Sequence, residues 1–197
     1  MNEKYIRKVI HLKKMPTLFE RQFENHKIIK CLNVINSECE WVINGEGYAT
    51  EKLDGTCCMI KDNQLYRRYD CKKGRKLPEN VIPCQPEPDP ITGHWPHWLL
   101  CDRNKPDDKY HFIAFDKKDN WKDGTYELIG SHEQGNPYGL EDDILEKHGE
   151  RILANVPRNY EGLKQYLKNT YIEGIVFYRG NGEICKIKRS DFGFVWK

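Results

Sequence analysis

A chain of 197 residues has the size of one ordinary domain or two very small ones. Its 38% of apolar and aromatic residues, with 15 glycines, excludes a disordered chain, and no run approaches the ~18 consecutive apolar residues of a membrane-spanning helix. The net charge of +2 hides an asymmetry: residues 1–30, 61–76 and 179–197 carry net charges of +5, +5 and +3, and residues 87–146 carry −8.

Three separated basic segments make one polyanion-binding face if the fold gathers them; the bland alternative is ordinary solvated surface. Met1 to Leu12 interleaves charged and apolar residues without an apolar block, so no signal peptide is expected.

In chain order, Glu40–Asn44 reads as a strand ending at the hairpin dipeptide Asn44-Gly45, with Gly47–Lys52 as its partner. Thr56–Lys61, Asp62-Asn63 and Gln64–Tyr69 read as a second hairpin. From Cys71 to Asp108 the chain holds seven prolines, at 78, 83, 86, 88, 90, 96 and 106. That density predicts neither a long helix nor a central strand, but a surface excursion able to act as a lid or substrate-binding loop. Tyr110–Asp116 and Thr125–Ile129 read as strands flanking a turn at Asp123-Gly124. Leu140–Ala154 reads as a helix with acids in its first turns. Asn159–Lys168 reads as another, capped by Asn159, with Leu163, Tyr166 and Leu167 on one face. Ile172–Tyr178 and Glu183–Arg189 around Gly180-Asn181-Gly182 form the clearest hairpin. The predicted class is α+β, antiparallel sheets with flanking helices.

Eight cysteines, two of them adjacent (Cys57 and Cys58), in a chain without a secretory signal predict reduced thiols in an intracellular compartment, cytoplasmic or nuclear. Cys84, His94, His97 and Cys101 are metal-ligand types, but their spacing matches none of the common structural zinc patterns.

Four segments carry chemistry. In Glu51-Lys52-Leu53-Asp54-Gly55-Thr56, a lysine at a strand end before a tight Asp-Gly turn can face a pocket from a rigid support. Lysine attacks only as the free amine, which burial and neighbouring cations make accessible. Tyr126-Glu127-Leu128-Ile129-Gly130 and Ile172-Glu173-Gly174-Ile175-Val176 each place one acid in an apolar strand. In Cys185-Lys186-Ile187-Lys188, alternation points both lysines to one face. Charges at core-like strand positions are costly unless paired or metal-bound. The alternative for either acid is the solvent face of a half-exposed sheet.

This ordered set resembles motifs I, III, IV and V of the covalent nucleotidyltransferase superfamily, and most closely its compact ATP-dependent 5′-to-3′ RNA ligases. Further shared phrases are Lys14-Met15-Pro16, Thr56-Cys57-Cys58, Gly93-His94-x-Pro96 and Gly135-Asn136-Pro137-Tyr138-Gly139-Leu140. The resemblance implies a single adenylation domain over 1–197, ATP-grasp-like, with the proline-rich excursion at about 71–108 and no OB-fold domain. It implies ATP, Mg²⁺ (with Mn²⁺ able to substitute), and RNA with 5′-phosphate and 3′-hydroxyl ends as substrate, in RNA repair. It implies no membrane, and a monomer is expected.

By the same resemblance Lys52 is the nucleophile, carrying AMP as a phosphoramidate. Asp54 and Gly55 shape the turn beside it, and Glu51 joins them in binding the nucleotide. Glu127 contacts the ribose or a metal-bound water. Glu173 holds the metal and positions Lys52, and Lys186 and Lys188 bind the α-phosphate. Arg67 and Arg68 both fit the arginine of motif Ia, with Arg68 preferred for its phrase Arg-Tyr-Asp. Pro137-Tyr138-Gly139 contacts the base or packs in the core. Tyr66, Tyr69, Trp95 and Trp98 stack bases or anchor loops and core. A DNA ligase, an mRNA-capping guanylyltransferase or a non-catalytic RNA-end-binding protein are the alternatives.

Overall fold

The computed structural model describes residues 15–24, 27–90 and 92–197; the expectations about Met1–Leu12, and Lys14 of the Lys-Met-Pro phrase, lie outside them. The elements in chain order are β1 (Phe19–Glu24), β2 (Lys27–Ile35), α1 (Glu40–Ile43), β3 (Tyr48–Lys52), β4 (Thr56–Lys61), β5 (Gln64–Cys71), β6 (Val81–Pro83) and β7 (Trp95–Leu100). Then follow α2 (Lys109–Phe115), β8 (Gly124–Ile129), β9 (Ile144–Lys147), β10 (Ile152–Leu153), α3 (Tyr160–Asn169), β11 (Gly174–Tyr178) and β12 (Ile184–Lys188). The class is mixed α and β, with antiparallel sheets and few helices. Among the described residues no helix is long and apolar enough to cross a membrane.

The chain divides into two compact units. One, Asp54–His148, is built on a six-stranded antiparallel sheet in the order β6-β7-β5-β4-β8-β9. Alternation along β4 sends Cys58 and Ile60 to one face, with Tyr126, Leu128, Leu145 and Phe112. It sends Met59 to the other, with Tyr66, Cys84 and Trp98.

The second unit combines residues 15–53 with Gly149–Lys197. Its four-stranded sheet runs β10-β3-β11-β12, beside the two-stranded β1-β2 ladder. One sheet face packs Ala49, Ile175, Phe177, Cys185 and Ile187 against Leu163 and Leu167 of α3. Burying each of the larger side chains contributes roughly 1.5–3 kcal/mol. The Asn159 side chain caps α3, accepting from the Gly162 N–H at 2.8 Å, as its sequence predicts.

Four expectations need correction. Glu40–Asn44 is helical, not a strand. Asn36 caps a 3₁₀ turn, Ser37–Cys39, which runs into α1, and Gly45 at φ +83° ends the helix. Tyr110–Asp116 is likewise α2, which follows a 3₁₀ turn begun by Pro106 and buries His111 and Ala114. Leu140–Ala154 is not a helix but β9 and β10, broken at Gly149 with φ +84°. Acids at 141–143 gave that segment a false helix start. Finally, β7 is an internal strand despite Pro96. Strand β6 pairs only with His97, Trp98 and Leu99, so the missing proline N–H falls beyond that ladder.

Candidate functional site

In the second unit, Lys52 ends β3, and the register sets Gly174 of β11 opposite both Lys52 and Lys188. Val176 stands opposite both Thr50 and Lys186. Because Cys185 and Ile187 face the core, Lys186 and Lys188 lie on the opposite face with Lys52. Gly174 is dictated by close approach, since a Cβ there would sit 2.4 Å from the Ile187 carbonyl oxygen.

On this face the Lys52 ammonium donates to Glu173 Oε2 at 2.6 Å and to the Leu53 carbonyl at 3.3 Å. The Lys188 ammonium lies 3.9 Å from Glu173 Oε1. Glu173 is 8% exposed, so its charge depends on these cations. Burial, then the charges of Lys52, Lys188 and Arg21, push Lys186 down from 10.5 to about 8, with Glu173 opposing. Residues 16–18 support Lys186 from the edge of β12: its N–H donates to the Pro16 carbonyl at 3.0 Å, and its carbonyl accepts from Leu18 N–H at 2.8 Å. Buried Asp191 accepts from Arg21 Nε at 2.9 Å and from the Lys188 N–H at 2.8 Å, fixing the end of the strand. Glu51 points to the sheet's other face, 3.4 Å from Arg151.

In the first unit, Glu127 on β8 stands opposite Cys57 on β4. Its Oε1 accepts from the Gly55 N–H at 3.1 Å, and its Oε2 lies 2.7 Å from His148 Nε2. Gly55 has no room for a side chain, because a Cβ would meet the Leu128 carbonyl oxygen at 2.0 Å. Asp54 N–H donates to the Tyr138 hydroxyl at 2.7 Å. The Thr56 hydroxyl donates to Glu133 at 2.6 Å, and burial raises the Glu133 carboxyl above its usual range.

The two arginines differ in what holds them. Arg67 Nε donates at 2.7 Å to Asp108, which is 1% exposed, whereas Arg68 Nε donates at 3.1 Å to Asp70 on the surface. Trp98 is fully buried and Tyr66 nearly so, which makes both core residues. Trp95 anchors a loop, donating from Nε1 to the Gln85 carbonyl at 2.9 Å. Next to it the excursion folds over a cleft of about 560 Å³ whose wall includes Lys72, Lys73, Arg75 and Trp95. Among the described residues, the metal-ligating types that gather within 4.8 Å are Cys57, Glu127 and His148, not the Cys84, His94, His97 and Cys101 set.

Sequence reasoning missed His148, Arg21 and Asp191. His148 was hidden inside a wrongly predicted helix. Arg21 and Asp191 are partners 170 residues apart with no local signal. The chemistry of the lysine face fits the groups the sequence implied. A single hard carboxylate among lysines suits Mg²⁺, which typically takes one or two carboxylates together with substrate phosphates and waters. Three lysines suit the phosphates themselves.

Comparison with known proteins places the chain in a family. The model of the RNA ligase 1 family matches residues 99–197, a stretch that carries Glu127, Glu173, Lys186 and Lys188. The chain is 26% identical to RNA ligase 1 of Rattus norvegicus over 221 aligned residues, 75% of this chain and 68% of that protein. It is similarly 26% identical to RNA ligase 1 of Mus musculus and of Pongo abelii, over 75% of this chain and 67% of each. With the match covering half of its length, the chain belongs to the RNA ligase 1 family.

Proposed function

We propose that the protein is an ATP-dependent RNA ligase that joins a 5′-phosphate to a 3′-hydroxyl through a lysyl-AMP intermediate, in RNA repair, on a nucleotidyltransferase fold. The observation that carries this reading is the 2.6 Å pair of Lys52 with buried Glu173 on a sheet face shared with Lys186 and Lys188. A nucleophile, a carboxylate able to take its proton and two phosphate-binding cations are thereby held on neighbouring rungs.

In the first step the Lys52 amine attacks the α-phosphorus of ATP. A P–N bond forms, the bond to the bridging oxygen breaks, and pyrophosphate leaves. The ammonium must first lose a proton, and Glu173 Oε2 is its hydrogen-bond acceptor. Lys186 and Lys188 neutralise charge on the transferring phosphate, and their fixed strand positions need no reorganisation. Glu173 and phosphate oxygens would hold Mg²⁺, or Mn²⁺ in its place, which supplies charge neutralisation at the phosphates. In the second step an oxygen of the RNA 5′-phosphate attacks the lysyl-AMP phosphorus and Lys52 leaves as the amine. In the third, the 3′-hydroxyl attacks the 5′-phosphorus, the phosphodiester forms and AMP leaves.

Asp54 and Gly55 shape the turn after Lys52, and Glu127 contacts the ribose or a metal-bound water, as family resemblance assigns. Glu51, paired with Arg151, acts from behind the strand rather than on the phosphates. Arg68 is the better motif Ia arginine because its partner Asp70 is exposed, while Arg67 is committed to buried Asp108. The cleft beside Lys72, Lys73 and Arg75 suits the RNA backbone, and binding there weakens with salt.

The test is a joining assay on 5′-phosphorylated RNA with ATP and Mg²⁺. Circular or joined RNA, absent with Lys52→Ala, is expected. Joining only of nicked DNA, or labelling only by GTP, would move the protein to a DNA ligase or guanylyltransferase reading. Binding without joining would make it an end-binding protein.

A further inference from the structure

Cys57, Glu127 and His148 form a cluster distinct in chemistry from the lysine face. Their sulfur, oxygen and nitrogen ligand atoms lie within 4.8 Å of one another. The positions are set by the sheet. Cys57 and Glu127 are directly opposed on β4 and β8, which puts their side chains on one face. His148 follows β9 at once, and its N–H is tied to the Thr125 carbonyl at 3.1 Å. Glu127 is anchored by the Gly55 N–H through Oε1, which leaves Oε2 aimed at the imidazole at 2.7 Å.

We infer that these three residues bind a borderline-soft divalent cation, Zn²⁺ above all. Tetrahedral zinc with bonds of about 2.0–2.3 Å needs ligand atoms roughly 3.3–3.8 Å apart. The His148 Nε2 to Glu127 Oε2 separation of 2.7 Å is below that range and all three ligand atoms lie within 4.8 Å of one another, so side-chain shifts of about an ångström close the site. The donor set selects the ion. Thiolate and imidazole favour zinc over magnesium, and three protein ligands leave one position open. Cys57 is also the accessible thiol of the chain, half-buried while the other seven are buried. Binding releases the Cys57 thiol proton to solvent and moves the proton between His148 Nε2 and Glu127 Oε2 to Nδ1 or to solvent, so affinity rises with pH.

Glu127 also carries the proposed ribose contact, so bound zinc and bound nucleotide compete for one carboxylate. That consequence rests on the ligase reading. Metal binding itself is therefore measured without nucleotide, and the two ideas fail separately.

The experiment titrates metal-free protein with Co²⁺ as a spectroscopic probe. One equivalent should produce a thiolate-to-cobalt charge-transfer absorption, displaced by Zn²⁺ and lost in Cys57→Ser. His148→Gln should weaken affinity at least about tenfold, the lower end of what even outer-sphere changes cost. In the wild-type protein, which needs no variant to fold, Zn²⁺ should protect Cys57 from iodoacetamide in peptide mapping. No such absorption in the folded wild type, an absorption that survives in Cys57→Ser, or Cys57 alkylated equally with and without Zn²⁺ would overturn the site.

Discussion

Replacing Lys186 with methionine should make the protein more stable at neutral pH and less able to transfer AMP. The native amine is held down at about 8, from 10.5, chiefly by burial and then by Lys52, Lys188 and Arg21. At ~1.4 kcal/mol per pH unit, that fall corresponds to about 3 kcal/mol, reduced by solvent screening to roughly 1–3 kcal/mol. The sign follows from proton counting. Below the folded value both states carry the charge, and its cost is fully present. Between about 8 and 10.5 the unfolded chain binds more protons than the folded one, so wild-type stability climbs with pH. Methionine has a similar length and no charge, so its variant should start higher and lack the climb. Urea unfolding at about pH 7 and about pH 9.5 reads this, with Trp41, in the same core as Cys185 and Ile187, as one reporter. AMP transfer should fall about a hundredfold, as for loss of one charge-stabilising donor. An equal or lower midpoint at neutral pH, with the same pH dependence in both proteins, would refute the crowding of charge on this face.

Gly174→Ala should cost about 1–3 kcal/mol or more, since its Cβ would lie 2.4 Å from the Ile187 carbonyl oxygen and 2.9 Å from Lys188 Cα; an unchanged urea midpoint contradicts this. Arg67→Ala should lower thermal stability by roughly 3–5 kcal/mol by stranding buried Asp108. Arg68→Ala should leave the melting temperature nearly unchanged while weakening RNA joining, and the reverse pattern would exchange the two roles.

The common face of Lys186 and Lys188 was legible from period-two alternation in Cys185-Lys186-Ile187-Lys188, and β4, β5, β8, β11, β12 and α3 read correctly. The roles given to Lys52, Glu127 and Glu173 came from family resemblance in short local phrases, not from periodicity. Turn chemistry explains the misses. Asn44-Gly45 serves a helix end as readily as a hairpin, and Asp142-Asp143 before an apolar run can start a strand as well as a helix. The partnerships of Arg21 with Asp191 and of Glu127 with His148 depend on which strands pair, and the sequence carries no mark of it. Pro96 shows the same dependence, since whether a proline breaks a ladder turns on which of its two edges is paired there.

The proposed chemistry turns on Lys52 as the nucleophile. Incubating the protein with α-labelled ATP and Mg²⁺, then mapping the labelled peptide by mass spectrometry, tests it most directly. One AMP per chain is expected on Lys52, acid-labile and base-stable, and none on Lys52→Ala. An unlabelled wild-type protein, or label on another residue that persists in Lys52→Ala, would contradict it.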